Sequence, residues 1–107
     1  MPNTLLSIDA DRDSASVGEY VYFTVVTSPD VSKVRISYVN ADTGKKKAST
    51  YQTSSTSVMS YTVSDDGSNA IWVIRYKVSG PAQDNTFTAE CRGDEWASPQ
   101  TVKLYVT

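Results

Sequence analysis

The chain has 107 residues, a net charge of −2 and no histidine. That length suits one domain, and the acidic balance argues against nucleic acid, whose binders carry a basic excess. The lack of histidine removes Ser-His-Asp and Cys-His nucleophilic chemistry and histidine-based zinc sites.

Leu5, Leu6 and Ile8 read as a first strand. Asp9, Asp11, Arg12 and Asp13 interrupt any apolar leader there. The Met1-Pro2 start therefore reads as a boundary inside a longer precursor, with residues 1–107 as a single domain excised from it. The stretch from Asp9 to Gly18 is polar and turn-rich. Tyr20 to Thr27 alternates, with Val21, Phe23 and Val25 on one face. Ser28-Pro29-Asp30 breaks that run. Lys33 to Asn40 alternates again, with Val34, Ile36 and Tyr38 sharing a face. Ala41-Asp42-Thr43-Gly44 is a turn, so Lys45 to Thr53 should return as a hairpin arm. Ser49 to Ser60 is rich in Ser and Thr and suits a weak edge strand or a loop. Tyr61 to Ser64 is a short strand ended by Asp65-Asp66-Gly67.

From Ala70 to Val78, Ala70, Trp72, Ile74, Tyr76 and Val78 form the core face, because Arg75 and Lys77 take the other. Phe87, Ala89 and Cys91 share a face in the next strand, and Val102, Leu104 and Val106 in the last. Helical periodicity is absent, and no stretch reaches the length needed to cross a membrane, so no direct membrane insertion is expected. The expected core is Val21, Phe23, Val25, Val34, Ile36, Tyr38, Trp72, Ile74, Phe87, Ala89, Leu104 and Val106. For 11.7 kDa the folded surface should be roughly 5,900 Å².

Two ordered patterns run through these strands. Ser16-Val17-Gly18-Glu19 leads into Tyr20-Val21-Tyr22-Phe23-Thr24-Val25. Trp72-Val73-Ile74-Arg75-Tyr76 is followed by Phe87-Thr88-Ala89, an Asp-bearing hairpin and Val102-Lys103-Leu104-Tyr105-Val106. Together they resemble the bacterial immunoglobulin-like and fibronectin-III-like modules of extracellular multidomain proteins. The resemblance implies an all-β, immunoglobulin-like β-sandwich of about seven antiparallel strands. Cys91 stands alone, so no disulfide is expected. Phe87 stands where many such domains carry a Tyr that ties the corner. The first strand has no Lys and the last no Asn, which argues against an isopeptide cross-link between them.

Several groups could carry chemistry. Asp9-x-Asp11-x-Asp13 is the best metal candidate, since alternating carboxylates at a strand end can converge on Ca²⁺. It fails as an EF-hand loop, because Ser14 replaces the required Gly and Tyr20 the bidentate Glu. The expectation is a polar connection without a metal. Arg92-Gly93-Asp94 matches an integrin tripeptide, yet hairpins favour Gly-Asp regardless of function. Trp96 in the same hairpin, with Glu95 and Gln100 as polar neighbours, could stack on a sugar ring; alternatively it folds back to cap the sandwich. Lys45-Lys46-Lys47 suits a solvated hairpin arm whose charges discourage edge pairing. Cys91 should pack inward as a small apolar residue.

The resemblance implies a non-catalytic structural or adhesion module without a cofactor, at the surface of a bacterium or secreted from it. It would space or orient neighbouring domains of the same polypeptide. Its end loops could also engage a polysaccharide or a host or cell-surface protein. A carbohydrate-binding module using Trp96 and exposed Tyr residues is the alternative, and a phage virion decoration domain a third.

Overall fold

The computed structural model describes residues 5–29, 31–79, 81–92 and 96–107, with backbone alone at 92 and 96–99. Nine strands form among the described residues: β1 (Leu5–Ala10), β2 (Ser14–Ala15), β3 (Tyr20–Thr27), β4 (Lys33–Val39), β5 (Lys46–Gln52), β6 (Val58–Val63), β7 (Ala70–Lys77), β8 (Gln83–Arg92) and β9 (Trp96–Val106). Period-two alternation explains the two best-defined strands. Along β3 every second residue from Val21 is buried, and along β7 Ala70, Trp72 and Ile74 are. The two strands pair antiparallel with Phe23 opposite Ile74 and Val25 opposite Trp72, so their apolar faces coincide.

One sheet has the order β1-β3-β7-β6 and the other β2-β9-β8-β4-β5. This is the strand arrangement of an immunoglobulin-like sandwich, four strands facing a sheet whose far edge carries an extra strand beside β4. Every residue of the expected core is buried. Phe87 is its hub, with ring centroids 5.3 Å from Phe23, 5.3 Å from Tyr38 and 5.4 Å from Tyr76. The Phe87 ring thus sits among other rings. Trp72 is fully buried, yet its indole N–H is satisfied by Thr27 Oγ1 at 3.0 Å. The accessible surface is 5877 Å², as a compact chain of this mass requires.

The strand count exceeds seven, and one pair is parallel. The segment read as a polar connection contains β2, which pairs parallel with β9 at Ser14–Tyr105 and Ala15–Val106. Ala15 is its one buried side chain, too little to show as alternation. Following it, Ser16-Val17-Gly18-Glu19 forms a turn in which Ser16 O accepts the Glu19 N–H at 3.0 Å. Gly18 has φ 93°, the positive value that the third position of a type II turn requires. The last strand also starts earlier than expected. Trp96 and Ala97 already pair with Arg92 and Cys91, whereas Gln100 pairs with Ala89. Two steps on β8 thus match three on β9, a bulge that takes up Pro99, which lacks the N–H a regular ladder needs.

Candidate functional site

The outer face of the five-stranded sheet is built by alternation. β8 turns Phe87 and Ala89 inward, which leaves Thr86, Thr88 and Glu90 on the outer side. The β4–β5 hairpin sets Lys46 beside Val39 and Ala48 beside Ser37. Where β4, β5 and β8 meet lies a shallow cleft of about 250 Å³, lined by Ser37, Tyr38, Val39, Lys46, Thr86 and Thr88. The Gln83 side chain fixes one end of it. Its amide N–H donates to Val39 O at 2.8 Å, its Oε1 accepts the Ala41 N–H at 2.8 Å, and Nε2 also contacts Asn85 Oδ1. The start of β8 is thereby tied to the end of β4.

The other end of the cleft is ionic. Arg35 Nη2 donates to Glu90 Oε1 at 2.9 Å, a half-buried pair between adjacent strands, and Lys46 Nζ stands 4.0 Å from the same oxygen. Lys33, Arg35, Lys46 and Lys103 lie on this side of the sheet against Asp84 and Glu90. The face is therefore basic on a chain of net charge −2. Val39 (56% exposed) and Tyr105 (53% exposed) add apolar surface to it.

The residues singled out from sequence fare differently. Glu95 lies outside the described residues, and so do Gly93 and Asp94 of the tripeptide. Arg92 ends β8, and Trp96 opens β9 opposite it. Trp96 is thus a strand residue by its backbone, not part of a long loop, and its side chain lies outside the described residues. Gln100 is exposed on β9 opposite Ala89. Asp11 Oδ1 accepts the Tyr22 N–H at 3.0 Å, and Asp13 O accepts the Tyr105 N–H at 2.9 Å. Asp9 is exposed on β1 opposite Thr24. Among the described residues no three acidic, Cys or His side chains form a group able to hold a metal. Cys91 is fully buried and forms no disulfide.

Lys46 is the functional candidate that the sequence did not single out by itself. The Lys45-Lys46-Lys47 run was legible, but only the register Val39–Lys46 puts one of its members at the cleft. A second polar group lies between the sheets. Tyr38 OH and Ser79 Oγ are 2.8 Å apart, and beside them the Tyr76 phenol is pushed up to about 12, by burial first and by Tyr38 and Tyr51 second. On the opposite outer face Arg75 stacks 4.7 Å above the Tyr20 ring.

No family model matches the sequence, and no curated protein matches it either. Among solved structures, the chain is similar to the immunoglobulin domain Dpr1 IG1, solved bound to DIP-eta IG1. The two are 15% identical with a TM-score of 0.40, over 94% of this chain and 95% of that one. The immunoglobulin-like sandwich of this protein is shown by its own strand order and register.

Proposed function

We propose that this domain is a non-catalytic structural and adhesion module that spaces or orients neighbouring domains of a bacterial cell-surface or secreted protein. The supporting observation is where the two ends of the sandwich hold the chain. Leu5 sits beside Thr27, at one end of β3. Thr107 sits at the other end, beside the turn that precedes Tyr20, where Val17 N–H donates to Thr107 O at 3.3 Å. The long dimension is 41 Å. Thr107 N–H also donates to Ala15 O at 2.9 Å, and its hydroxyl lies 3.0 Å from Ser16 Oγ. A chain entering at Leu5 and leaving at Thr107 would run the length of a stiff body, and its exit would be held by a parallel ladder. The bacterial surface setting rests on the resemblance of the Ser16–Val25 and Trp72–Val106 patterns.

Small-angle scattering on tandem copies tests the spacing role. Two and three copies in series should give particles that lengthen by about the 41 Å long dimension per copy. Tandems that fold back on themselves and keep the girth of side-by-side domains would overturn it.

A further inference from the structure

The geometry points to the cleft on the outer face of the five-stranded sheet as a binding site for an acidic polysaccharide, gripping one uronate residue between the Lys46 ammonium and the hydroxyls of Thr86 and Thr88. This goes beyond the spacing role, which needs no ligand.

Three features of the cleft carry the inference. The first is its lining. Thr86 is exposed and Thr88 half-buried, and neither hydroxyl is engaged by another described side chain. A hydroxyl both donates and accepts, which matches the hydroxyls of a sugar ring. The second is the cation. Glu90 already has a close partner in Arg35 at 2.9 Å, whereas Lys46 stands off at 4.0 Å with 56% of its side chain exposed. The Lys46 ammonium therefore keeps donors for an incoming carboxylate, and such charge-assisted bonds are the stronger kind. The third is the surrounding field. Lys33, Arg35 and Lys103 spread positive charge along the face, suited to an anion that repeats along a polymer. Exposed Val39 and Tyr105 offer surfaces for the C–H faces of a sugar.

An acidic peptide fits less well. Peptides that add to sheets use an open edge and its backbone groups. Here β8, which carries Thr86 and Thr88, is paired on one side with β4 and on the other with β9, so a strand added at the open β5 edge would lie two strands away from those hydroxyls. Recognition at Thr86 and Thr88 then runs through side-chain hydroxyls and the Lys46 ammonium.

The test is binding of the intact protein to polygalacturonate, compared with fully methyl-esterified polygalacturonate and with polyglutamate, by calorimetry or affinity electrophoresis. Polygalacturonate should bind, and binding should weaken as salt is raised. Lys46→Ala should weaken it roughly tenfold, the scale of one lost charge-assisted contact. The double change Thr86→Val with Thr88→Val should weaken it while leaving the salt dependence in place. Lys77→Ala, on the opposite sheet, should change nothing. All four positions are outside the core, and an unchanged melting temperature would show that each variant folds. The proposal is overturned if polygalacturonate does not bind or if its methyl ester binds as well. It is also overturned if polyglutamate competes equally, which would make the ligand a peptide, or if Lys77→Ala costs as much as Lys46→Ala. None of these outcomes depends on how tandem copies are arranged, so the two readings fail separately.

Discussion

The two long sides of the sandwich are built on different terms. On one side the chain crosses from sheet to sheet: β1 pairs with β3 in the first, and a few residues later β2 pairs with β9 in the second. Leu5, Ile8, Ala15 and Val106 are buried along that seam. On the other side β5 and β6 end their respective sheets. Tyr51 is the one buried residue of β5, and β6 has none. A side closes where the sequence offers an apolar residue at each turn inward. It stays open where Lys47 and Ser49 take the inward positions of β5 and where Val58 and Tyr61 of β6 pack only partly against the core, and the lysines at 46 and 47 put charge on the exposed edge.

Trp72 sets the largest expected effect, because it is where the open side is sealed. From β6, Tyr61 meets its indole edge-on with ring centroids 5.0 Å apart. Trp72→Ala should cost about 3–5 kcal/mol in denaturant unfolding, as truncations of buried Trp do. A loss under about 1 kcal/mol would mean that the open side is too loosely packed to hold the ring. The next effect contrasts the two sides directly. Ala15→Asp places a carboxylate at a position only 4% exposed on the closed seam, and should destabilise by on the order of 3 kcal/mol. Ser49→Asp makes the same charge on exposed β5 and should stay within about 0.5 kcal/mol of the parent. Equal losses would erase the distinction.

A smaller effect lies in the turn that leads out of the closed seam. Gly18 has φ 93°, and beyond its own chain neighbours no atom lies within 4 Å of where a Cβ would stand. Gly18→Ala therefore meets no clash, and its cost is the backbone conformation alone, about 1–2 kcal/mol. A neutral result in thermal unfolding would show that the turn relaxes to another form. Ser16 N–H donates to Glu19 Oε1 at 2.7 Å, which with Arg12 nearby holds the Glu19 carboxyl below its usual range. That bond opposes such relaxation.

Much of this contrast was legible in the sequence, and the gaps have physical causes. β3 and β7 are long enough for alternation to repeat, so Val21, Phe23, Trp72 and Ile74 declared themselves. The Ser- and Thr-rich stretch from Ser49 to Ser60 read as a weak edge strand or a loop, and it holds the end of β5, a connection and the start of β6. β2 did not show, since two residues carry no period and its pairing is with a strand at the far end of the chain. The early start of β9 was hidden by Pro99, which reads as a break but sits at a bulge. The Thr27–Trp72 hydrogen bond needs the β3–β7 register. The cleft needs more still: Val39 and Lys46 meet only through the hairpin, and Thr86 and Thr88 only through β4–β8 pairing. A local motif search could find the lysine run but not the hydroxyls that face it.

The smallest effect belongs to the open side, in the turn between β6 and β7. Asp66 Oδ1 accepts bonds from Ser68 Oγ at 2.7 Å, Ser64 Oγ at 2.7 Å and Ser68 N–H at 3.0 Å. These donors hold its carboxyl down to about 2, against an ordinary 3.8. Because the folded value is the lower one, the carboxylate contributes stability that is present above about pH 4 and lost as pH falls through about 2. The group is fully exposed, so water competes for every bond and the contribution is small. Asp66→Ala should lower the melting temperature slightly at neutral pH, and that deficit should close as the parent is acidified towards about pH 2. Carbon-detected NMR titration of the parent should place the Asp66 carboxyl well below the ordinary 3.8. A deficit that stays constant down to about pH 2 would show that the turn is held by Gly67 and the serines without the charge. The open side would then owe its shape to backbone conformation rather than to any bond that acid can break.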